Sequence, residues 1–224
     1  MILWGKSMSE NIIYYQEIFA SIQGESTDAG LPCVFVRFYG CPIGCIYCDQ
    51  KQTPKDNKRI SIANMVDEVL KLRIPYVCIT GGEPLLQKQV LYPLIYELQQ
   101  NGCHVSIETS GCFEIEDEPY NRSYKYIMDI KCPSSGVSHK NKYENLMHLK
   151  SKDEVKFVIS DKKDYDFMKW VLQNYPTPAK ILVSPCFDEL GKPKIGDELV
   201  QWLIRDHLNS VRVQIQMHKV IGVR

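Results

Sequence analysis

Short runs of β-branched and other apolar residues recur along the whole chain, and they constrain its fold more than any other feature. Each run has about the length of a buried strand. The runs are Val34–Phe38, Tyr76–Thr80, His104–Glu108, Tyr126–Ile130, Glu154–Ile159, Lys180–Ser184 and Val211–Ile215. Segments with helical periodicity lie between several of them, and this alternation predicts βα units with a mainly parallel sheet.

Four amphipathic segments supply the predicted helices. They begin after Ser61, at Leu85, at Asp161 or Asp164, and at Gly196-Asp197, and the second one ends at Asn101-Gly102. A complete eightfold α/β barrel typically needs about 250 residues, whereas this chain has 224. We therefore expect an incomplete, open α/β barrel of the TIM type, with its chemistry at the carboxyl ends of the strands. The sequence shows no long Gly/Ser linker, so we expect one domain over residues 1–224, with residues 1–13 as an N-terminal extension.

Charge and cysteine content narrow the class of protein. The chain has 27 Lys and Arg against 27 Asp and Glu, so it has no general attraction for nucleic acid. No apolar run approaches the length of a membrane span, and no secretory signal is visible. Nine cysteines in a chain of this length do not resemble a small disulfide scaffold. We expect a protein of the reducing cytoplasm that binds neither nucleic acid nor membrane.

Three cysteines lie close together directly after the first predicted strand. Cys41, Cys45 and Cys48 fall within eight residues, and Gly40 and Gly44 allow the tight backbone that such a loop needs. Thiolate ligands favour zinc or an iron–sulfur cluster. A structural zinc site takes four protein ligands, and no fourth ligand is evident here. Three thiolates on a four-iron cluster would instead leave one iron open to a substrate or cofactor.

A glycine pair follows the next predicted strand, in the segment Thr80 to Pro84. Paired glycines let backbone approach a ligand closely, and Glu83 supplies a carboxylate. Taken alone, this segment is typical of a strand-to-helix turn. Because this segment is expected at the same sheet edge as the cysteine loop, a role in ligand binding becomes the stronger interpretation.

These two motifs together resemble those of radical S-adenosylmethionine enzymes, and aromatic Tyr47 before the last cysteine agrees. The resemblance implies a [4Fe-4S] cluster on Cys41, Cys45 and Cys48, whose open iron binds S-adenosylmethionine. Reductive cleavage of that cofactor then yields a radical that abstracts hydrogen from substrate. The residues that the resemblance places at the cofactor are Tyr47, Gly82, Glu108, Thr109, Ser110, Asp129, Ile130 and Lys131.

Further elements resemble the 7-carboxy-7-deazaguanine synthase family from about Tyr15 to Arg224. They are Ile18 to Glu25, Arg37, Asp129 to Ser135 and the segment from Arg212 to Arg224. This implies a homodimer that contracts the ring of 6-carboxy-5,6,7,8-tetrahydropterin, with a flavodoxin- or ferredoxin-type electron donor. The residues implied at the substrate are Ile22, Gln23, Gly24, Glu25, Arg37, Thr80 and the terminal Arg224. Glu25 and Lys131 are candidates to steer proton transfers, and Arg37 suits a carboxylate.

Several alternatives stay open at the level of sequence. A glycyl-radical activase would share both motifs, and a noncatalytic zinc or iron–sulfur module would need only the cysteines. Arg37 could form a structural ion pair, and the role of His218 and Lys219 is unsettled. Where the family often has a Ser or Thr that helps to bind Mg²⁺, this chain has Gln50. A side-chain amide oxygen can also coordinate that ion, so we expect Mg²⁺ as a possible cofactor on which activity depends only weakly.

Overall fold

One sheet runs through the part of the chain that the computed structural model describes, namely residues 11–48, 50, 52–116, 122–188 and 192–223. Its strands are β1 (Ile12–Ile22), β2 (Pro32–Phe38), β3 (Lys58–Ser61), β4 (Tyr76–Gly81), β5 (His104–Thr109), β6 (Lys125–Ile130), β7 (Glu154–Ile159), β8 (Lys180–Pro185) and β9 (Val211–Val213). Their spatial order is β3-β1-β2-β4-β5-β6-β7-β8-β9. Strands β2 and β4 to β9 are parallel, while β1 pairs antiparallel with β2 and β3. The predicted incomplete α/β barrel is confirmed.

Helices follow most of the parallel strands. They are α1 (Ile62–Lys71), α2 (Lys88–Gln100), α3 (Asn145–His148), α4 (Lys162–Asn174), α5 (Gly196–Arg205) and α6 (Met217–Ile221). The Ser61 side chain accepts a hydrogen bond from the Asn64 amide at 3.3 Å, and Asp161 caps α4 in the same way at 2.9 Å. Such caps stabilise a helix by about 1 kcal/mol each. The predicted second helix instead begins as a 3₁₀ turn over Pro84–Gln87, and α2 starts at Lys88.

The first strand differs from the sequence-based expectation. No strand was predicted before Val34, but the segment from Ile18 to Glu25 belongs largely to β1, which at 11 residues is the longest strand described. Ile12 and Ile13, assigned above to an N-terminal extension, lie within it, and Ile13 is fully buried. The physical reason is that two neighbouring strands, β2 and β3, satisfy its backbone on both sides. The prediction of an extension that reaches residue 13 is therefore wrong for Ile12 and Ile13.

The two faces of the sheet have different chemistry because side chains alternate along each strand. One face packs against the helices and forms the main core, with Val34, Val36 and Phe38 of β2 among its members. The inner face carries polar and charged side chains. Strand register sets Arg37 beside Thr80 of β4, and Asp129 of β6 beside Lys156 of β7. Residues from distant parts of the chain thus meet inside the partial barrel.

The remaining cysteines occupy several environments. Cys33 and Cys78 are buried in a small cluster with Phe35, separate from the main core, while Cys103 and Cys132 lie within that core. Burial raises the pKa of Cys33 to about 12, with a further contribution from the Glu108 carboxylate. Cys112 is only half-buried. No helix of the described residues is long and apolar enough to cross a membrane.

Candidate active site

A cavity of about 680 Å³ opens at the carboxyl ends of the parallel strands and on the inner face of the sheet. Sixteen of the residues predicted for the site line it: Ile22, Gln23, Gly24, Glu25, Arg37, Cys41, Cys45, Tyr47, Cys48, Thr80, Gly82, Glu108, Thr109, Ser110, Asp129 and Lys131. Ile130 does not, because its side chain points to the opposite face and is fully buried in the main core. Any contact of Ile130 with a ligand would therefore use its main chain. Arg224 lies outside the described residues.

The cysteine loop, residues 41–48, leaves the end of β2. Gly40 and Gly44 adopt positive φ of 98° and 78°, which explains the need for glycine at both positions. Gln52 anchors the start of the loop: its side chain accepts from the Gly40 amide at 2.7 Å and donates to the Phe38 carbonyl at 2.8 Å. All three thiols are free and line the cavity, with Cys45 half-buried.

The donor set of this loop fits an iron–sulfur cluster better than a single ion. Among the described residues, no three His, Cys, Asp or Glu side chains are close enough to hold one metal ion. A four-iron cluster has a different requirement, because each thiolate binds its own iron. Burial raises the pKa of the Cys41 and Cys45 thiols. Metal binding would lower the pKa of these two thiols, because a coordinating thiol loses its proton.

The glycine pair has a role that the sequence did not reveal. A Cβ on Gly82 would lie 2.0 Å from the Gly40 carbonyl oxygen, and one on Gly81 would lie 2.4 Å from the Phe38 backbone. The close approach is therefore to the start of the cysteine loop. Hydrogen bonds from the Gly82 amide to Phe38 at 3.0 Å and from the Glu83 amide to Gly40 at 2.8 Å hold the two segments together.

Glu83 holds the end of the next strand. Its carboxylate is fully buried and accepts hydrogen bonds from the Leu85 amide at 2.9 Å and from the Thr109 hydroxyl at 2.8 Å. It also accepts from the Ser110 amide at 2.8 Å and from the Ser110 hydroxyl at 2.5 Å. Each oxygen thus has two donors, and the carboxylate positions Thr109 and Ser110 at the cavity.

A charge network lies across the inner face; it consists of Glu25, Asp129, Lys131, Lys156 and Gln216. The Lys156 ammonium lies 2.5 Å from Glu25 and 4.0 Å from Asp129. Lys131 donates to Asp129 at 2.7 Å, and Gln216 donates to the second Glu25 oxygen at 2.6 Å. Desolvation opposes charge on Glu25, but Lys156 and Gln216 outweigh it and lower the pKa of Glu25 to about 2. Desolvation also opposes charge on Lys131 and Lys156, yet the carboxylates beside them raise both pKa values.

A second polar group contains Gln23, Thr80 and Glu108. The Thr80 hydroxyl donates to one Glu108 oxygen at 2.8 Å, and the Gln23 amide approaches the other at 3.5 Å. The Gln23 oxygen also accepts from the Glu25 amide at 3.1 Å and orders the turn after β1. This group joins three predicted ligand-binding positions into one hydrogen-bonded unit.

Arg37 forms the ion pair that was the simpler alternative for it. Its Nε lies 3.0 Å from a Glu17 oxygen, and its guanidinium carbon lies 5.5 Å from the centre of the Phe19 ring. Cross-strand register makes Glu17 and Arg37 direct neighbours. Since Arg37 also lines the cavity, the ion pair fixes the orientation of a guanidinium that faces the site.

The segment after β9 returns to the turn after β1. The Met217 amide donates to the Gly24 carbonyl at 2.9 Å, and Gln214 accepts from the Ser26 amide at 2.9 Å. A Cβ on Gly24 would lie 2.1 Å from His218 Nδ1, so the His218 ring packs directly on Gly24. His218 and Lys219, whose role was unsettled from sequence, both line the cavity.

Sequence reasoning missed several cavity residues. The most consequential is Lys156, and Cys186, Phe187 and Val158 also line the cavity. Lys156 did carry a signal, because it is a charged residue between the apolar residues Val155 and Phe157 of a strand. Cys186 is a buried thiol, and its place at the cavity depends on where β8 ends.

Comparison with known proteins identifies relatives of this chain. Residues 35–118, which contain the cysteine loop and the glycine pair, match the model of the radical SAM superfamily. A 7-carboxy-7-deazaguanine synthase from Koribacter versatilis is 38% identical over 92% of this chain and 95% of its own length. One from Methanospirillum hungatei is 37% identical over 92% of this chain and 84% of its own length.

The fold also has a counterpart among solved structures. The crystal structure of QueE from Escherichia coli matches with a TM-score of 0.71, covers 95% of this chain and 100% of that chain, and is 22% identical. At this identity the likeness shows a shared fold. The relatives do not favour a glycyl-radical activase or a noncatalytic module. Because those relatives are matched over most of both chains, the protein belongs to the 7-carboxy-7-deazaguanine synthase family of the radical SAM superfamily.

Proposed function

We propose that the protein converts 6-carboxy-5,6,7,8-tetrahydropterin into 7-carboxy-7-deazaguanine with release of ammonia, on the route to queuosine and other 7-deazapurines. One observation carries the proposal: a single cavity contains both the cysteine loop and a wall of hydrogen-bonding and charged side chains. Its volume of about 680 Å³ lies in the range of small-molecule sites. Both a cofactor and a heterocyclic substrate need such a wall.

The cysteine loop would hold a [4Fe-4S] cluster through Cys41, Cys45 and Cys48, with S-adenosylmethionine beside it. When bound and reduced, the two would together supply the species that abstracts hydrogen from the substrate. In this proposal Tyr47, Gly82, Glu108, Thr109, Ser110, Asp129 and Lys131 hold S-adenosylmethionine, and Ile130 contributes its main chain. Glu83 supports that role, since it positions Thr109 and Ser110.

The substrate would lie against the turn after β1. Ile22, Gln23 and Gly24 bind the pterin edge. Thr80, whose hydroxyl already donates to Glu108, contacts the substrate from β4 as an acceptor, and Arg37 attracts the substrate carboxylate. Glu25 has a pKa of about 2, so it is ionised near neutral pH and accepts hydrogen bonds from ring nitrogens. The pKa of Lys131 is raised, so it stays protonated. Both residues therefore act on proton transfers through fixed charges and hydrogen bonds.

The proposal also concerns how strongly turnover depends on Mg²⁺. Gln50 lines the cavity at the position where the family often has a Ser or Thr. Its amide oxygen reaches further than a hydroxyl, so it does not reproduce the same ion geometry. We expect turnover to depend only weakly on added Mg²⁺. A titration after chelation would show less than about twofold activation, and a steep, saturating requirement would contradict this expectation.

The assembly and its partners are also proposed. We propose a cytoplasmic homodimer that receives electrons from a flavodoxin- or ferredoxin-type donor. All nine cysteines lie in the described part of the chain and are free thiols, which suits a reducing compartment. Exposed apolar side chains near the C-terminus, including Val213, Ile215, Val220 and Ile221, offer a surface for a second copy. Light scattering on the cluster-loaded protein measures the oligomeric state.

One anaerobic incubation tests the activity. Purified protein is reconstituted with iron and sulfide and then incubated with dithionite, S-adenosylmethionine and the tetrahydropterin. We expect ammonia and a product that absorbs as a deazapurine, and neither should form without dithionite. Methionine and deoxyadenosine without that product would instead support a protein activase. An intact cluster that yields neither set of products would overturn both enzymatic assignments.

A further inference from the structure

The cysteine loop rests on a second segment of chain, residues 132–141, which follows β6; we call this segment the cradle. The Lys140 ammonium donates to the main-chain carbonyls of Ile43 at 2.6 Å and Pro42 at 3.3 Å. The Ile46 amide donates to the Ser135 carbonyl at 3.0 Å. These contacts hold the loop on both sides of Cys45, at main-chain atoms between the three thiols.

Packing reinforces the same contact. Gly136 adopts a positive φ of 74°, and a Cβ at this position would lie 2.7 Å from the end of the Ile46 side chain. The Ile46 side chain is still 76% exposed, so the cradle supports an apolar side chain at the protein surface. The cradle therefore contacts the cysteine loop through a charge, a backbone hydrogen bond and an apolar surface.

The cradle is itself fixed to the barrel. Asp164 is fully buried and accepts from the Ser134 amide and the Ser160 amide, each at 2.9 Å. At its other end, the Asn141 side chain accepts from the Lys131 amide and donates to the Lys131 carbonyl, both at 2.9 Å. Lys140 thus extends from a rigid support toward the loop.

The charge of Lys140 has a consequence beyond loop order. A cluster gains one negative charge when it accepts an electron, and nearby charges and hydrogen bonds set its reduction potential. A cation bonded to carbonyls between two of the ligands favours the reduced state. Ile43, which accepts the shorter bond, is buried, so water screens the charge less at this bond.

We propose that Lys140 is a positioning residue for the iron–sulfur cluster: it holds the loop between Cys41 and Cys45 in place, and its charge raises the reduction potential of the cluster. This inference rests on the proposed function only in requiring that the three cysteines hold a cluster.

The test compares Lys140→Met with two other variants. Lys140→Arg keeps the charge and the donors, and Lys142→Met removes an exposed lysine two residues away. Each protein is reconstituted anaerobically and desalted; iron loss to a chelator is then timed, and reduced cluster is measured by electron paramagnetic resonance at one fixed potential. Neither measurement depends on turnover. Circular dichroism of the cluster-free proteins checks their folds.

We expect Lys140→Met to lose iron about tenfold faster than the wild type, as befits two lost hydrogen bonds to a charged group. Its ratio of reduced to oxidised cluster falls by about threefold to tenfold, the effect of one partly screened charge. Lys140→Arg and Lys142→Met stay within about twofold of the wild type in both measurements. If Lys140→Met does not fold, Lys140→Gln keeps a donor without the charge and gives the redox comparison: a lowered ratio supports the proposal and a wild-type ratio overturns it.

Other outcomes separate this inference from the proposed function. Wild-type iron uptake together with an unchanged Lys140→Met overturns the role of Lys140 alone. An equal effect of Lys142→Met also overturns it, because the effect would then come from overall charge. A wild-type chain that takes up no iron overturns the proposed function and this inference with it.

Discussion

The cysteine loop takes its three thiols from eight consecutive residues, whereas the charge network takes five side chains from four separate segments of the chain. Both line the same cavity. The loop depends on its own backbone and on a few supports, so a change of one thiol affects the cluster and little else. The charge network joins the turn after β1, the end of β6, the middle of β7 and the segment after β9. A substitution there should therefore alter the fold and the chemistry together.

The largest effect is expected in the cysteine loop. Cys45→Ser should abolish cluster binding and reduce turnover to background, because the cofactors supply the reactive species. The free energy of unfolding of the cluster-free protein should change by less than about 0.5 kcal/mol. Iron analysis, product formation and urea unfolding measure the three effects. The matched control is Cys112→Ser, a half-buried thiol outside the cavity lining, which should keep both cluster and activity. Cluster loss in that control would show that the loop does not hold the cluster alone.

In the charge network, by contrast, Lys156→Met should lower stability and activity together. It leaves the Glu25 carboxylate largely buried without its cation, so unfolding should become easier by about 3 kcal/mol. We expect kcat/KM to fall by about 100-fold at the same time. Adding Glu25→Gln should restore most of the stability but not the activity, since the pair is then neutral. Lys163→Met, at an exposed position on α4, is the control and should change stability by less than about 0.5 kcal/mol. Lys156→Met with wild-type stability would remove the contrast between the two regions.

Acid unfolding sharpens the comparison further. The pKa of Glu25 is lowered in the folded protein from 4.5 to about 2. Its ionisation therefore stabilises the fold above the pKa of the unfolded state, and this stability is lost as the pH falls from about 4.5 toward 2. The contribution is about 3 kcal/mol. Urea unfolding from pH 7 to pH 2 should show Glu25→Gln less stable than the wild type near neutrality, with the difference shrinking through this range. A constant difference would mean that Glu25 is not held by its ion pair.

The smallest predicted effect concerns the contact between Gly24 and His218. Gly24→Ala would place a methyl group against the His218 ring and displace the segment after β9. We expect KM for the pterin to rise about tenfold with only a modest loss of stability. Steady-state kinetics measures this, and Gly196→Ala is the control because its new Cβ would meet Pro193 at an ordinary 3.7 Å. An unchanged KM would show that the His218 contact does not shape the substrate site.

Much of the fold and of the candidate site followed from local pattern. The parallel strands were predicted because each carries a run of apolar residues, and the incomplete barrel followed from the alternation of strands with helices and from the chain length. Strand β1 was missed because Gln16 and Glu17 interrupt its apolar residues, so it has no continuous apolar run, and because its partners on both sides lie later in the chain. For Glu83 the sequence indicated only a carboxylate beside the glycine pair, since nothing in the sequence shows that Thr109 and Ser110 donate hydrogen bonds to it.

The sequence by itself determined the three thiols, the glycines around them and the family, because these depend on spacing along a few residues. Only the tertiary structure decided that Lys156 pairs with Glu25, that Gly82 approaches the cysteine loop, and that Lys140 supports that loop. The physical reason is strand register. It sets which side chains meet inside the barrel, and it depends on the pairing of the whole sheet.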